Sequence, residues 1–555
     1  MRVLKLIAIL LLAGSLNAAG QTTTKAYKKD NHVNPILPYN MCADPTAVEY
    51  NGRLYVYGTN DQQEYNTTKN GSNNTYGAIT QLVCMSTADM VNWTFHGVID
   101  VKAAAPWMAK SWAPSIVSRE EADGKTHFYL YYTNWASGVG VLTATSPTGP
   151  WKDPLKRALI DGSTPGRGVQ SNIIDPGVCI DDEGNGWLTF GGGDPNRNGT
   201  KLMPGNARIV KLGKDMISLD GSIKEIPAPF HFEANELNFI NGKFLFSYSG
   251  GWSCNSGDWS KYEGKGAYGC PENCSILSMV TDDPINGTWK YTGEILKNPA
   301  KFGYPGGNNH SHMQKFGSKW YMIYHTQKIA QYQGFSGGYR GIAINPVSVN
   351  ETTCKVTAPT MTDNGPGIIS ENRLIGTDLI EAETMANCAG INVTKQNNGY
   401  VVSDVQEGDW TMVRGIRFPE GAKSVMVRLK GTGTLQIRPK TITSAPLVTI
   451  DFKSSVLKNV SVDLADIIPE NTAYNYLYFV FTKASNSIQF DRYQFSTQTV
   501  DEQTGVEAVK MSEPVSFEYY DAAGHKRSAM PRKGFYIQKK TLANGKQVVR
   551  KMIAQ

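Results

Sequence analysis

The sequence predicts an all-β chain: a five-bladed β-propeller, then a β-sandwich of jelly-roll type, then a short β tail. Three observations carry this expectation. One phrase recurs five times, an opening residue and inner strand, a Gly-centred turn, and an aromatic strand. Most of the turns are Asn-Gly, Asp-Gly or Gly-Asn pairs set between alternating apolar and polar residues, the short-range signature of a hairpin. Composition agrees, because Gly 55 and Tyr 27 in 555 residues suit many strands and tight turns, and 40% hydrophobic content supplies core for two or three domains. Sustained helical periodicity is hard to find.

Residues 1–20 come first. Arg2 and Lys5 precede an apolar run from Leu6 to Ala13, and small residues follow at Ala18 to Gly20. That is the pattern of an export signal, so the chain is expected to be secreted, in the medium or at the cell surface. No other run reaches the roughly 18 to 20 apolar residues that span a bilayer, so no membrane span is expected. The formal charge of +6 is spread along the chain. Without a basic stripe, nucleic acid is excluded as a partner, and a monomer is expected.

Residues 21–375 hold the five phrases. They are DPTAVEYNGRLYVYG from Asp44, WAPSIVSREEADGKTHFYLYY from Trp112, DPGVCIDDEGNGWLTFGGG from Asp175, EANELNFINGKFLFSYS from Glu233 and HSHMQKFGSKWYMIYHT from His310. Their spacing is slightly long for a four-stranded blade. A second echo, around Trp93, Trp151 and Trp289, marks the rim of an outer strand. Blades set round an axis bring their innermost strands together. The openings should therefore converge on one end of a central depression, where Asp44, Asp175 and Glu233 would meet.

Three carboxylates in one depression suit glycosidic bond hydrolysis, which needs one carboxylic acid to protonate the leaving oxygen and one carboxylate to activate water or attack the sugar. Asp44 and Asp175 each precede Pro and could singly be turn formers. Their shared register with Glu233 favours chemistry. Glu236, three residues on, is a second candidate acid. Strand alternation places 233, 235 and 237 on one face and 236 on the other, which selects Glu233. Trp112 could stack on a sugar or pack in the core. Cys254, Cys270 and Cys274 share a Gly-rich insertion where one bridge is expected, and with no interleaved His the zinc reading is weak. The insertions from Tyr65 to Tyr76 and from Gly250 to Cys274 could be polymer-contacting walls or loop tips.

The run from Asn34 to Val349 resembles glycoside hydrolase family 43. The likeness is carried by ADPTAVEYNGRLYVY, DMVNWTFHG, SWAPSI, GVLTATSPTGPW, IIDPGVCIDDEGNGWLTFGGG, the Glu233 strand and NNHSHMQKFGSKWYMIYHT. It implies a five-bladed, inverting enzyme without an organic cofactor, acting on arabinose- and xylose-containing polysaccharides. By the same resemblance Asp44 is the general base, Asp175 orients the acid and keeps it protonated, and Glu233 is the general acid. Arg340 would reach the bound sugar, Trp112 would line its site, and His310 would lie on the axis near a calcium ion. Family members often have Gly-Pro or Ala-Pro after the acid, whereas this chain has Ala234-Asn235.

Within the family, the likeness to arabinoxylan arabinofuranohydrolases implies removal of α-L-arabinofuranosyl side groups from a plant cell-wall polysaccharide. A β-xylosidase, an arabinanase or a non-catalytic polysaccharide-binding protein are the alternatives.

Residues 376–498 resemble a family 6 carbohydrate-binding module through LIEAETM, EGDWTMV, FPEGAKSVMVRLKG and SIQFDRYQF. This implies a structural calcium held by Glu381, Glu383 and Asp491, and a sugar-stacking Tyr400. A second aromatic is missing, its segment replaced by SSVLKNVSVDL. Residues 499–555 resemble a C-terminal sorting tail of secreted Bacteroidetes proteins.

Overall fold

Hairpin after hairpin, the chain builds five antiparallel sheets in sequence order. The structure, a computed structural model, describes residues 23–168, 172–193, 201–369, 373–396, 399–485, 487–501, 516–521, 525–527, 534–541 and 547–554. The expected leader, 1–20, lies outside the described residues. The first sheet takes β1 (Ala43–Tyr50), β2 (Arg53–Thr59), β3 (Gln81–Thr87) and β4 (Trp93–Asp100), with α1 (Asp61–Thr68) between β2 and β3. The second takes β5 (Pro114–Glu120), β6 (Thr126–Thr133), β7 (Gly138–Ala144) and β8 (Ile160–Asp161). The third takes β9 (Gly177–Ile180), β10 (Gly186–Phe190), β11 (Arg208–Leu212) and β12 (Leu219–Glu225). The fourth takes β13 (His231–Ile240), β14 (Lys243–Gly250), β15 (Ile276–Thr281) and β16 (Lys290–Leu296). The fifth takes β17 (Ser311–Phe316), β18 (Lys319–Thr326), β19 (Gly341–Asn350) and β20 (Lys355–Thr357).

The first strands of these sheets touch in cyclic order, β1 to β5, β9, β13 and β17, and β17 returns to β1. Close approach at this hub requires glycine in places. A Cβ on Gly177 would lie 2.6 Å from the Cα of Glu236, and one on Gly58 would lie 2.4 Å from the Ala43 carbonyl oxygen.

A second β region follows: β21 (Ile380–Glu381), β22 (Thr384–Met385), β23 (Asn387–Ala389), β24 (Asn392–Gln396), β25 (Gly399–Ser403), β26 (Trp410–Phe418), β27 (Ala422–Pro439), β28 (Val448–Ile468), β29 (Thr472–Ala484) and β30 (Gln489–Ser496). All but β22 form one sandwich-like sheet, in which β21 pairs with β30 and the long β28 with β27. β22 instead extends the first sheet, Thr384 opposite Thr94 and Met385 opposite Trp93. The two regions share a core in which Trp93, Phe95 and Phe316 meet Phe418, Phe479 and Tyr493, so residues up to Phe495 form one compact unit. Burial of these aromatics, with the Val, Ile and Leu side chains around them, stabilises the junction.

Tyr400, expected to stack on sugar, lies at this junction. Its ring meets Phe95 edge-on at 5.7 Å, and its hydroxyl accepts from the Val98 N–H at 3.3 Å. Gly97 makes room, since a Cβ there would fall 1.7 Å from the Tyr400 ring. The aromatic is therefore used for packing between the two regions. From Ser496 the chain forms a separate unit, with a sheet of β31 (Ser516–Asp521), β32 (Lys526–Arg527), β33 (Gly534–Thr541) and β34 (Gln547–Ala554).

Candidate active site

The openings of the first strands line one cavity of about 140 Å³, and Asp44, Asp175, Glu233, Trp112, His310 and Arg340 all face it. Asp44 lies in β1, Asp175 and Trp112 just before β9 and β5, Glu233 in β13, and His310 just before β17. Asp44 and Asp175 share a left-handed backbone, φ 50° and 51°. Asp tolerates this conformation better than most residues. The kink lets each peptide N–H bond inward, that of Asp44 to His325 Nδ1 at 3.1 Å and that of Asp175 to Thr133 Oγ1 at 2.8 Å. His325 Nε2 in turn donates to the Asn308 carbonyl at 3.1 Å, which makes Nε2 the protonated nitrogen.

The electrostatics divide the three carboxyl groups. Burial would raise the Asp44 pKa, but the Arg340 guanidinium, 2.8 Å from Oδ1, together with the neighbouring His325 and His310, outweighs it and holds the group well below the usual carboxylate range. Thr59 Oγ1 donates to the other oxygen at 2.8 Å. Burial first, then the negative charge of Asp44, pushes Asp175 up to about 7, although the Ala234 N–H donates to it at 2.7 Å. Burial, then Asp175 and Asp44, pushes Glu233 up to about 8. One carboxylate, Asp44, is thus held ionised beside a pair in which burial and the charge of Asp175 favour the proton on Glu233, the separation an acid–base pair requires.

Arg340 is itself held by a residue not foreseen from sequence. Asp61 accepts from the Arg340 backbone N–H, Nε and Nη2 at 3.0, 2.9 and 2.9 Å, and is fully buried. The Tyr76 ring lies 4.8 Å from the guanidinium. A buried Arg needs a matched carboxylate, so Asp61, two residues beyond the end of the first hairpin, was the signal to follow. The insertion carrying Tyr65 to Tyr76 is anchored: Tyr65 packs on Phe335 at 4.4 Å and Asn74 donates to Asp61 at 3.1 Å.

Glu233 and Glu236 separate as expected, but not by simple alternation. The β13–β14 register shifts between the two, and Ala234 has φ 61°. This bulge turns Glu233 into the cavity. It sends Glu236 deeper into the hub, where its Oε2 lies 3.0 Å from His312 Nδ1 and 3.5 Å from Ser115 Oγ. Asn235 ties the bulge to the Asp175 and Gly191 carbonyls at 2.9 and 2.7 Å.

Trp112 lines the cavity rather than the core, its indole N–H donating to the Tyr76 carbonyl at 3.0 Å. In the insertion after β14, Cys254 and Cys270 are disulfide-bonded, and Cys274 is free and buried.

The expected metal positions fare differently. His310 Nδ1 lies 3.6 Å from Asp44 Oδ1, and its Nε2 is buried without a hydrogen-bond partner. Burial lowers its pKa to about 4. One imidazole beside an Arg-paired carboxylate is a poor donor set for calcium, which takes several oxygens. In the second β region, pairing of β21 with β30 brings Glu381, Glu383 and Asp491 together. Burial, then the neighbouring carboxylates, pushes Glu383 up to about 8, and its Oε2 is buried without a donor, which suits a nearby cation. Asp491 is instead paired with Arg428 at 3.0 Å. Among the described residues no three His, Cys, Asp or Glu side chains gather as a metal site.

Comparison with known proteins agrees with this geometry. The profile of "Glycosyl hydrolases family 43" matches residues 32–353. An arabinoxylan arabinofuranohydrolase of Paenibacillus polymyxa is 33% identical over 84% of this chain and 74% of its own length. One of Bacillus subtilis (strain 168) is 33% identical over 88% of this chain and 98% of its own. The crystal structure of a family 43 arabinoxylan arabinofuranohydrolase from Bacillus subtilis, in complex with cellotetraose, superposes with TM-score 0.78 at 32% identity, over 86% of this chain and 99% of that one.

Proposed function

The chain belongs to glycosyl hydrolase family 43, and from that premise we propose that it removes α-L-arabinofuranosyl side groups from arabinoxylan by single displacement with inversion, on a five-bladed propeller. The observation that carries the proposal is the division of the cavity's carboxyl groups, Asp44 paired with Arg340 at 2.8 Å and Glu233 on the same cavity, its pKa pushed upward by burial and by Asp175.

Asp44 takes a proton from water as that water attacks the anomeric carbon. Glu233 gives its proton to the departing xylan oxygen. Asp175 keeps Glu233 protonated through like-charge repulsion and anchors the bulge through the Ala234 N–H. Arg340 stabilises the ionised base and, at the cavity wall, is placed to bond a sugar hydroxyl. No organic cofactor enters the reaction.

The second β region is proposed to be a family 6 type carbohydrate-binding module, in which Glu381 and Glu383 would hold a calcium ion. The leader and tail are proposed to direct the protein out of the cell.

Release of arabinose from arabinoxylan, compared with linear arabinan and xylo-oligosaccharides, tests the activity. An Asp44→Ala variant should release none, and NMR of the first product should show the inverted anomer. Retained configuration would rule out single displacement, and no release from any substrate would favour a polysaccharide-binding role.

A further inference from the structure

The cavity has room for about one sugar unit, so a polymer carrying that unit must lie across the rim. The rim presents an indole that the core does not require. Trp135, in the turn after β6, is 46% exposed, yet it stacks on the cavity-lining Trp112 at 6.1 Å with 28° between the planes. Its backbone sits at φ 54°, in the left-handed region that disfavours an aromatic side chain. The turn is nevertheless well tied: the Asn134 N–H bonds the Gly138 carbonyl at 2.7 Å, and Asn134 Oδ1 accepts from the Ala109 N–H at 2.7 Å. Lys110 places its ammonium 5.8 Å from the Trp135 ring, the only charge recorded over it among the described residues. Strain in a well-anchored turn that exposes a large apolar ring beside a reactive cavity points to a ligand for that ring.

We propose that Trp135 is a stacking subsite for a main-chain sugar of the polysaccharide whose side group fills the cavity. The inference rests on the function proposed above. Trp112 connects the two subsites: it walls the cavity and backs the Trp135 ring, so a side group in the cavity fixes where the adjoining main-chain ring falls. The flat apolar face of a xylose ring matches an exposed indole, and the Lys110 ammonium can turn to its hydroxyls.

The test compares kcat/KM for arabinose release from xylo-oligosaccharides carrying one arabinofuranosyl group on main chains of increasing length. For the wild type, kcat/KM should rise with main-chain length. Trp135→Gly, which relieves the left-handed backbone, should lower the long-to-short ratio about tenfold, mainly through KM, without lowering Tm. Trp135→Phe should restore most of the ratio. A ratio unchanged in Trp135→Gly, or a wild type indifferent to length, would overturn the subsite alone. No arabinose from any substrate would overturn the subsite together with the function it rests on.

Discussion

Asp44, Asp175 and Glu233 in the cavity, and Glu381, Glu383 and Asp491 in the second β region, are both trios of carboxylates that the fold draws toward one another across the sequence. Each trio contains one member paired with arginine, Asp44 with Arg340 and Asp491 with Arg428, and others pushed upward by burial and like charge. The similarity ends at their surroundings. The first trio faces a 140 Å³ cavity walled by Trp112 and Tyr76, and its arginine is fixed by a second carboxylate, Asp61. The second sits where β21 meets β30, and the elevated group, Glu383, is buried with an oxygen that has no donor. A raised carboxyl pKa is therefore shared by a reaction site and a structural junction, and the open cavity beside it separates the two.

The comparison can be broken most sharply at the reacting groups. Glu233→Gln or Asp44→Ala should lower kcat/KM on arabinoxylan by about 10³-fold or more, whereas Glu383→Gln should leave it within about twofold. Equal losses would mean that the trios do not differ in kind. Asp61→Ala should come next, at about 10- to 100-fold, since it leaves the buried Arg340 free to turn away from Asp44. Asp61→Asn, which keeps the shape, should recover part of that loss.

Asp175→Asn removes a negative charge that raises Glu233. The alkaline limb of kcat/KM, set by loss of the Glu233 proton, should then move to lower pH. A limb that stays in place would remove Asp175 from its role.

The smallest effect is on stability. In the unfolded chain Glu383 has the ordinary value of a glutamate, about 4.5, and burial in the folded chain pushes it up to about 8. Between those values the folded state holds the extra proton, so its contribution to stability falls as pH rises through that window and is fully lost above about 8. In chelator, Glu383→Gln should therefore raise Tm at pH 8 to 9 more than at pH 5, and calcium added to the wild type should offset the loss if a cation binds there. A Tm difference independent of pH would place the cost elsewhere.

Much of the cavity was legible because hairpin chemistry is local. The turns between paired runs marked the five inner strands, and their openings marked the residues that share the hub. What escaped reading depends on non-local packing. Asp61 becomes meaningful only once Arg340, about 280 residues on, is seen to be buried against it. Strand alternation separated Glu233 from Glu236, yet a bulge at Ala234 is what turns Glu233 to the cavity, and no residue type there announces a left-handed backbone. Tyr400 had the chemistry of a sugar platform, but a glycine in another sheet, Gly97, opens the space that takes its ring. Trp135 was hidden because a single Trp after an aromatic strand reads as core until its exposure is known.

The central claim is that one carboxylate of the cavity is ionised while its partner acid is protonated at the same neutral pH. Difference infrared spectroscopy at pH 7, wild type against Glu233→Gln and against Asp44→Asn, measures this directly. The account expects Glu233→Gln to remove a protonated-carboxyl band and Asp44→Asn to remove a carboxylate band. A carboxylate band lost in Glu233→Gln, with no protonated band affected, would contradict it.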